Sequence, residues 1–122
     1  MVYSGTLVKC IDNSGAKIVK VIKVLGNQGL RTPGKLGNVL VVAVRRYKPN
    51  KKVKQGELFK AILVRPLVMY RHGGLKLRVM NAAVVLMNKQ FMPLGTRILS
   101  PVYRELKGKG FLKILAIANV IV

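Results

Sequence analysis

The run Val39-Leu40-Val41-Val42-Ala43-Val44 leads straight into Arg45-Arg46-Tyr47-Lys48-Pro49-Asn50-Lys51-Lys52-Val53-Lys54. After Gln55-Gly56-Glu57 the chain turns apolar again at Leu58-Phe59-Lys60-Ala61-Ile62-Leu63-Val64. β-Branched runs of this length, bounded by Gly, Pro and Asn, predict buried strands. The Pro49-Asn50 step supplies turn chemistry between them. Six of the ten residues from Arg45 to Lys54 are Lys or Arg, and none is acidic. The stretch therefore predicts two core strands that carry a cationic loop into solvent, with a rigid barrel or sandwich behind it.

The rest of the chain carries the same imbalance. It has 23 Lys plus Arg against three acids, Asp12, Glu57 and Glu105, for a formal net charge of +20. Even with every acid paired, most of the positive charge lacks an internal partner, and self-repulsion on that scale opposes a compact state. A permanent polyanionic partner relieves it, and nucleic acid is the simplest, because phosphate contacts dominate the affinity of such proteins. An anionic membrane surface is the other polyanion to weigh. At 122 residues and 51% hydrophobic, the chain is long enough for one domain, 1–122, with a core of its own. That core has no Trp and must be built from Val, Ile and Leu.

Membrane insertion is not expected. The longest charge-free run, Val79 to Asn88, has ten residues, where a spanning helix needs about twenty. A membrane-active amphipathic helix with a basic face is not expected either, since the chain offers strands and glycine turns. Met1 to Gly5 lacks the basic-then-apolar pattern of a secretory leader. The single Cys10 excludes an internal disulfide, fits a reducing compartment, and reads as a small buried hydrophobe.

Working outward, Leu7 to Ile11 predicts a short strand, Asp12-Asn13-Ser14-Gly15 a turn, and Lys17 to Leu25 a second strand. Gly26 to Gly37 reads as a loop carrying Arg31 and Lys35. Pro66 breaks the apolar run that ends at Tyr70, Arg71-His72-Gly73-Gly74 reads as a hairpin turn, and Leu75 to Val79 returns antiparallel. Ala82 to Met87 predicts another buried strand. Ser100 and Pro101 read as cap and first residue of a helical turn stopped by Gly108 and Gly110, and Phe111 to Ile117 is the last apolar element. Closely spaced strands joined by Gly, Pro and Asn turns predict a mainly β fold, a small antiparallel barrel.

No catalytic set is evident. One His and one Cys do not make an ordinary zinc site. The three scattered carboxylates form no acid–base pair: Asp12 reads as a turn-former, Glu57 and Glu105 as partners of nearby cations. Neither an enzyme nor a cofactor or metal site is expected. The signal lies in two basic clusters: Arg45, Arg46, Lys48, Lys51, Lys52 and Lys54, then Arg97, Arg104, Lys107, Lys109 and Lys113. Tyr47 and Tyr103 sit inside them, placed either to stack on a base or to pack on the barrel rim.

The blocks Asn81-Ala82-Ala83-Val84-Val85-Leu86-Met87-Asn88, Gly95-Thr96-Arg97-Ile98, Pro101-Val102 and Arg104-Glu105-Leu106 closely resemble the C-terminal half of the universal family of large-subunit ribosomal protein fourteen. The N-terminal half agrees in order and spacing: Asp12-Asn13-Ser14-Gly15-Ala16, Lys23-Val24-Leu25-Gly26, Pro49-Asn50, Lys52-Val53-Lys54, Gly56-Glu57 and Lys60-Ala61-Ile62-Leu63-Val64-Arg65. The resemblance covers nearly the whole chain in one register.

The resemblance implies a closed five-stranded barrel with a projecting β-hairpin and short C-terminal helices. It implies a structural constituent of the large ribosomal subunit that binds large-subunit rRNA and, in intersubunit bridges, small-subunit rRNA. Implied protein partners are large-subunit proteins three and nineteen and a ribosome-silencing factor. By position, the rRNA contacts fall on Arg45, Arg46, Lys48, Lys51, Lys52, Lys54, Arg97, Arg104, Lys107 and Lys109, and the bridge on Arg97, Tyr103 and Arg104. The chain departs from the family pattern at Asn38, Leu94 and Ser100, in Arg78-Val79-Met80, and in a Tyr70–Leu77 hairpin about two residues short. The loss of acids lifts the charge above the bacterial type. It points to a mitochondrial ribosome and a chain encoded in the organelle, with plastid or bacterial cytoplasm as the alternative.

Overall fold

A computed structural model describes residues 2–26, 33–49, 51, 53–71 and 73–122. The expectations for Arg31, Asn50, Lys52 and His72 fall outside the described residues. The strands are β1 (Leu7–Cys10), β2 (Ala16–Val24), β3 (Val39–Tyr47), β4 (Leu58–Arg65), β5 (Val68–Tyr70), β6 (Lys76–Arg78) and β7 (Ala83–Met87). A 3-10 helix (Arg104–Lys109) and a short helix α1 (Leu112–Ile117) follow.

Five strands close into a barrel in the order β1-β2-β3-β4-β7, and β5 pairs with β6 as a separate two-stranded ribbon. The expected five-stranded barrel, projecting hairpin and short C-terminal helices are all present. Four seams are antiparallel, whereas the closing seam, β1 on β7, is parallel, with Lys9 opposite Ala83 and Cys10 opposite Val84.

Strand alternation fills the barrel. Val8, Cys10, Val19, Val21, Leu40, Val42, Val44, Ala61, Leu63, Val84 and Leu86 point inward and form one buried cluster. On β4 and β7 the outward residues are buried too: Ile62, Val64, Ala83, Val85 and Met87 pack beneath Ile98, Val102, Tyr103, Leu106 and Ile114. Both faces of those strands are therefore covered, which is why their sequences run apolar without alternation. On β2 and β3 the outward positions stay partly or fully open.

The helix start at Ser100-Pro101 is corrected. The 3-10 helix begins at Arg104, with Tyr103 extended before it (φ −86°, ψ 139°) and no side-chain cap. The physical reason is competition for backbone groups. The Val102 amide donates to Val120 O and the Arg104 amide to Val122 O, so residues that could have formed a first turn pair as extended chain. Gly110 ends the helix in the left-handed region (φ 88°), as a C-terminal glycine should.

Candidate nucleic-acid interface

Strand direction sets the site. β1, β3 and β7 all run toward one end of the barrel. The 11–15 turn, the 48–57 loop and the 88–97 segment therefore emerge together there.

The turn is held from inside. Asp12 is buried, and its Oδ1 accepts from Cys10 Sγ (3.1 Å), the Ser14 amide (3.2 Å) and Ser14 Oγ (2.5 Å). Its Oδ2 accepts the Leu86 amide at 3.1 Å, tying the turn to β7. Asp12 is thus the turn-former expected, and a pin across the parallel seam as well. Burial, then the charge of Asp12, pushes the Cys10 thiol far up, so it stays protonated and acts as core.

Asn13 clamps the next segment. Its Oδ1 accepts the amides of Thr96 (2.8 Å) and Arg97 (3.1 Å), and its Nδ2 donates to Thr96 Oγ1 (2.9 Å). Arg97 is thereby presented, exposed, beside the 11–15 turn. Gly95 makes the approach possible, because a Cβ there would stand 2.6 Å from Asn13 Oδ1.

The cationic loop is fixed at several points. Val53 is buried in the barrel core. The Lys48 amide donates to Gly15 O (2.8 Å), the Gly56 amide to Val44 O (2.9 Å), and Glu57 Oε1 accepts the Lys54 amide (2.8 Å). Gly15, at φ +110°, leaves no room for a Cβ, which would lie 2.3 Å from Lys51 Cβ. Arg45, Arg46, Tyr47, Lys48, Lys51 and Lys54 are all exposed on this anchored frame. Lys52 lies outside the described residues.

The second basic cluster does not stay together. Arg97 joins the first cluster at the loop end, and Lys113 reaches Met92 in the adjoining segment. Arg104 and Lys107 are exposed farther along the flank, on the 3-10 helix that Arg71 of the ribbon tethers. Lys109 ends that helix, and its side chain is not among those described. Of the two readings open for Tyr103, packing holds: its ring is buried with Ile98, Val102 and Leu106 against β4 and β7. The aromatic ring was needed to fill the flank between the barrel and the 3-10 helix.

Arg71 pairs with Glu105 through Nε and, at 3.2 Å, through a terminal nitrogen, and it also donates to Val122 O (2.6 Å). Burial is the largest single influence and would raise the Glu105 carboxyl, but the Arg71 hydrogen bond, a backbone hydrogen bond and the charges of Arg71 and Arg104 together outweigh it and leave a net lowering. The expected ion pairing holds for Glu105. Glu57 instead caps a backbone amide.

Each acid is thus spent on internal structure, and Lys9, Lys20, Lys23 and Lys60 on the barrel strands were not singled out from the sequence. For Lys9, Lys20 and Lys60 the signal was available, each at an outward position of an alternating strand; Lys23 is in phase with inward Val19 and Val21, and only a register shift after Val21 turns it outward.

Fold and site together define a small closed β-barrel protein that displays anchored cations at one end and spends its acids on its own architecture. The chain matches the family model described as ribosomal protein L14p/L23e over residues 1–122, and it belongs to that family. Its role is structural, in the large subunit of the ribosome, where ribosomal RNA and neighbouring ribosomal proteins are its surroundings.

Proposed function

We propose that the loop end binds large-subunit rRNA directly, through Arg45, Arg46, Lys48, Lys51, Lys52, Lys54 and Arg97. The observation that carries this reading is the convergence of the 11–15 turn, the 48–57 loop and Arg97 on one frame. Cations held by an anchored backbone lose little freedom on meeting phosphates, so binding is not offset by ordering the loop. Tyr47, 40% exposed among them, supplies a ring for base or sugar stacking.

The test is rRNA binding as a function of salt. Each phosphate contact removed should flatten the log–log salt slope by about 0.7 to 0.9. R46Q/K48Q/K51Q/K54Q should therefore flatten it by roughly 3. An unchanged slope, with unchanged co-sedimentation on large subunits, refutes the reading.

The bridge to small-subunit rRNA falls to Arg97 and Arg104, with Tyr103 setting the backbone from which Arg104 projects. Charge reversal at both arginines should weaken subunit joining more than subunit assembly, and unchanged joining moves the bridge elsewhere. Large-subunit proteins three and nineteen and a ribosome-silencing factor are the protein partners in this reading. The excess of cations supports a mitochondrial ribosome in this reading, with plastid or bacterial cytoplasm as the alternative.

A further inference from the structure

The 88–92 turn at the loop end holds an aromatic ring out on a strained backbone. The Asn88 amide donates to Met92 O (2.9 Å) and the Phe91 amide to Asn88 O (3.1 Å). Asn88 Oδ1 accepts the amides of Gln90 (2.9 Å) and Met92 (3.0 Å). This tight closure sets Phe91 at φ 58°, and among the described residues it is the one non-glycine in the left-handed region. Glycine or asparagine is the usual occupant there, because a larger side chain crowds the neighbouring carbonyl. Strained backbone of this kind clusters at ligand-binding sites.

The fold makes little use of the ring. Phe59 packs on the barrel cluster and Phe111 on the flank cluster, whereas Phe91, the third phenylalanine, belongs to neither and is 45% exposed. Its neighbours are cations. Lys60, opposite Met87 across β4 and β7, places Nζ 5.1 Å from the ring centroid. Lys89 is exposed within the turn, and Lys113 reaches the adjacent Met92. Beside Lys60 and the turn lies a groove of about 520 Å³, with Leu58, Met87, Asn88, Lys89 and Leu94 among its walls. That is within the range of small-molecule sites, about 300–1,000 Å³, and ample for one nucleobase. Glu57, at the groove's edge, is turned onto the Lys54 amide. One ring among ammonium groups is not the contiguous apolar patch that marks a protein contact. It matches an unpaired nucleotide, which needs a π face for its base and cations for its phosphates.

We propose that Phe91 is a base-stacking residue, and that the turn and its groove take one looped-out nucleotide of the RNA bound at the loop end, with Lys60 and Lys89 on the flanking phosphates. The inference rests on the RNA-binding reading of that end and adds a preference within it, for RNA with an unpaired base over continuous duplex. The probes are two RNA duplexes alike except that one carries a single bulged 5-iodouridine, which photocrosslinks to an aromatic ring stacked on it. The full chain should prefer the bulged probe by about 5-fold or more, the lower end of what one base–aromatic stack is worth. Irradiation should join the iodouridine to Phe91. F91G should lose the preference, while its urea midpoint is no lower than the wild type's, because glycine suits φ 58°. Lost preference then does not reflect lost fold. F91W should keep the preference. The loop-end variant R46Q/K48Q/K51Q/K54Q should weaken both probes by a common factor and keep their ratio. A preference undiminished in F91G, or a crosslink to Tyr47 in place of Phe91, overturns the proposal while the loop-end reading stands. Failure of the wild type to bind either probe overturns both. A map of the assembled particle with the Phe91 ring against protein side chains also overturns the proposal.

Discussion

Asp12→Asn should be far more damaging than its size suggests. The carboxylate accepts four hydrogen bonds, three on Oδ1 from Cys10 and Ser14 and one on Oδ2 from the Leu86 amide. Asparagine retains one acceptor oxygen. Keeping it toward Ser14 turns the amide NH2 onto the Leu86 N–H, donor against donor. Turning it the other way abandons three bonds to keep one. The first choice loses a charge-assisted bond, about 1.5–3 kcal/mol, and orphans a buried N–H. We therefore expect about 3 kcal/mol of destabilisation. Urea denaturation of the isolated chain, in high salt to screen its self-repulsion, measures it. The midpoint should fall with the slope unchanged, and Ser14→Ala should cost about 1 kcal/mol. A loss below about 0.5 kcal/mol in Asp12→Asn, the level of an ordinary surface change, would refute the pinning argument.

Four further outcomes are expected. Gly95→Ala should push Asn13 aside at a cost of about 1–3 kcal/mol, seen as faster hydrogen exchange at the Thr96 and Arg97 amides. Tyr103→Phe should be nearly neutral in thermal unfolding, whereas Tyr103→Ala should cost about 3–5 kcal/mol, the signature of a packed ring. Glu105→Gln should cost about 1 kcal/mol near neutral pH, the pair being only part-buried. The Glu105 carboxyl titrates below its unfolded value, so its contribution is present above about pH 4.3 and lost as pH falls through the folded value. The wild type and Glu105→Gln should therefore converge in acid-unfolding curves.

The barrel was legible because inward-facing Val, Ile and Leu recur at the right spacing and turn residues punctuate them. Val39 to Val44 and Leu58 to Val64 became β3 and β4 nearly as read. The cationic loop was legible for the same reason, being bounded by two strands. What local sequence did not show was set by distant pairing. Ser100-Pro101 carries a sound helix-start signal, yet amide bonds to Val120 and Val122 override it. Tyr103 sits among Arg and Lys neighbours in sequence but is packed in space against aliphatic side chains, with the Arg71 guanidinium over its ring at 5.8 Å. Arg97 and Arg104 are close along the chain, but Asn13 holds one near the loop end while the ribbon tethers the helix that carries the other. Of the lysines on the outer barrel face, Lys9, Lys20 and Lys60 were visible as outward positions, whereas Lys23 is turned outward only by the register shift after Val21.

The parallel seam also dictates an order of events during synthesis. The strands β1 to β4 can curl up as they emerge, but the gap between β1 and β4 is filled only when β7 arrives, more than seventy residues after β1. Until then two strand edges stand unpaired, and Asp12 waits for the amide of Leu86. Such long-range closure is slow and leaves a nascent chain prone to pairing with the wrong neighbour. The newborn chain's vulnerability is therefore topological as well as electrostatic, and a truncation before Ala83 should yield an aggregating ribbon and no smaller barrel.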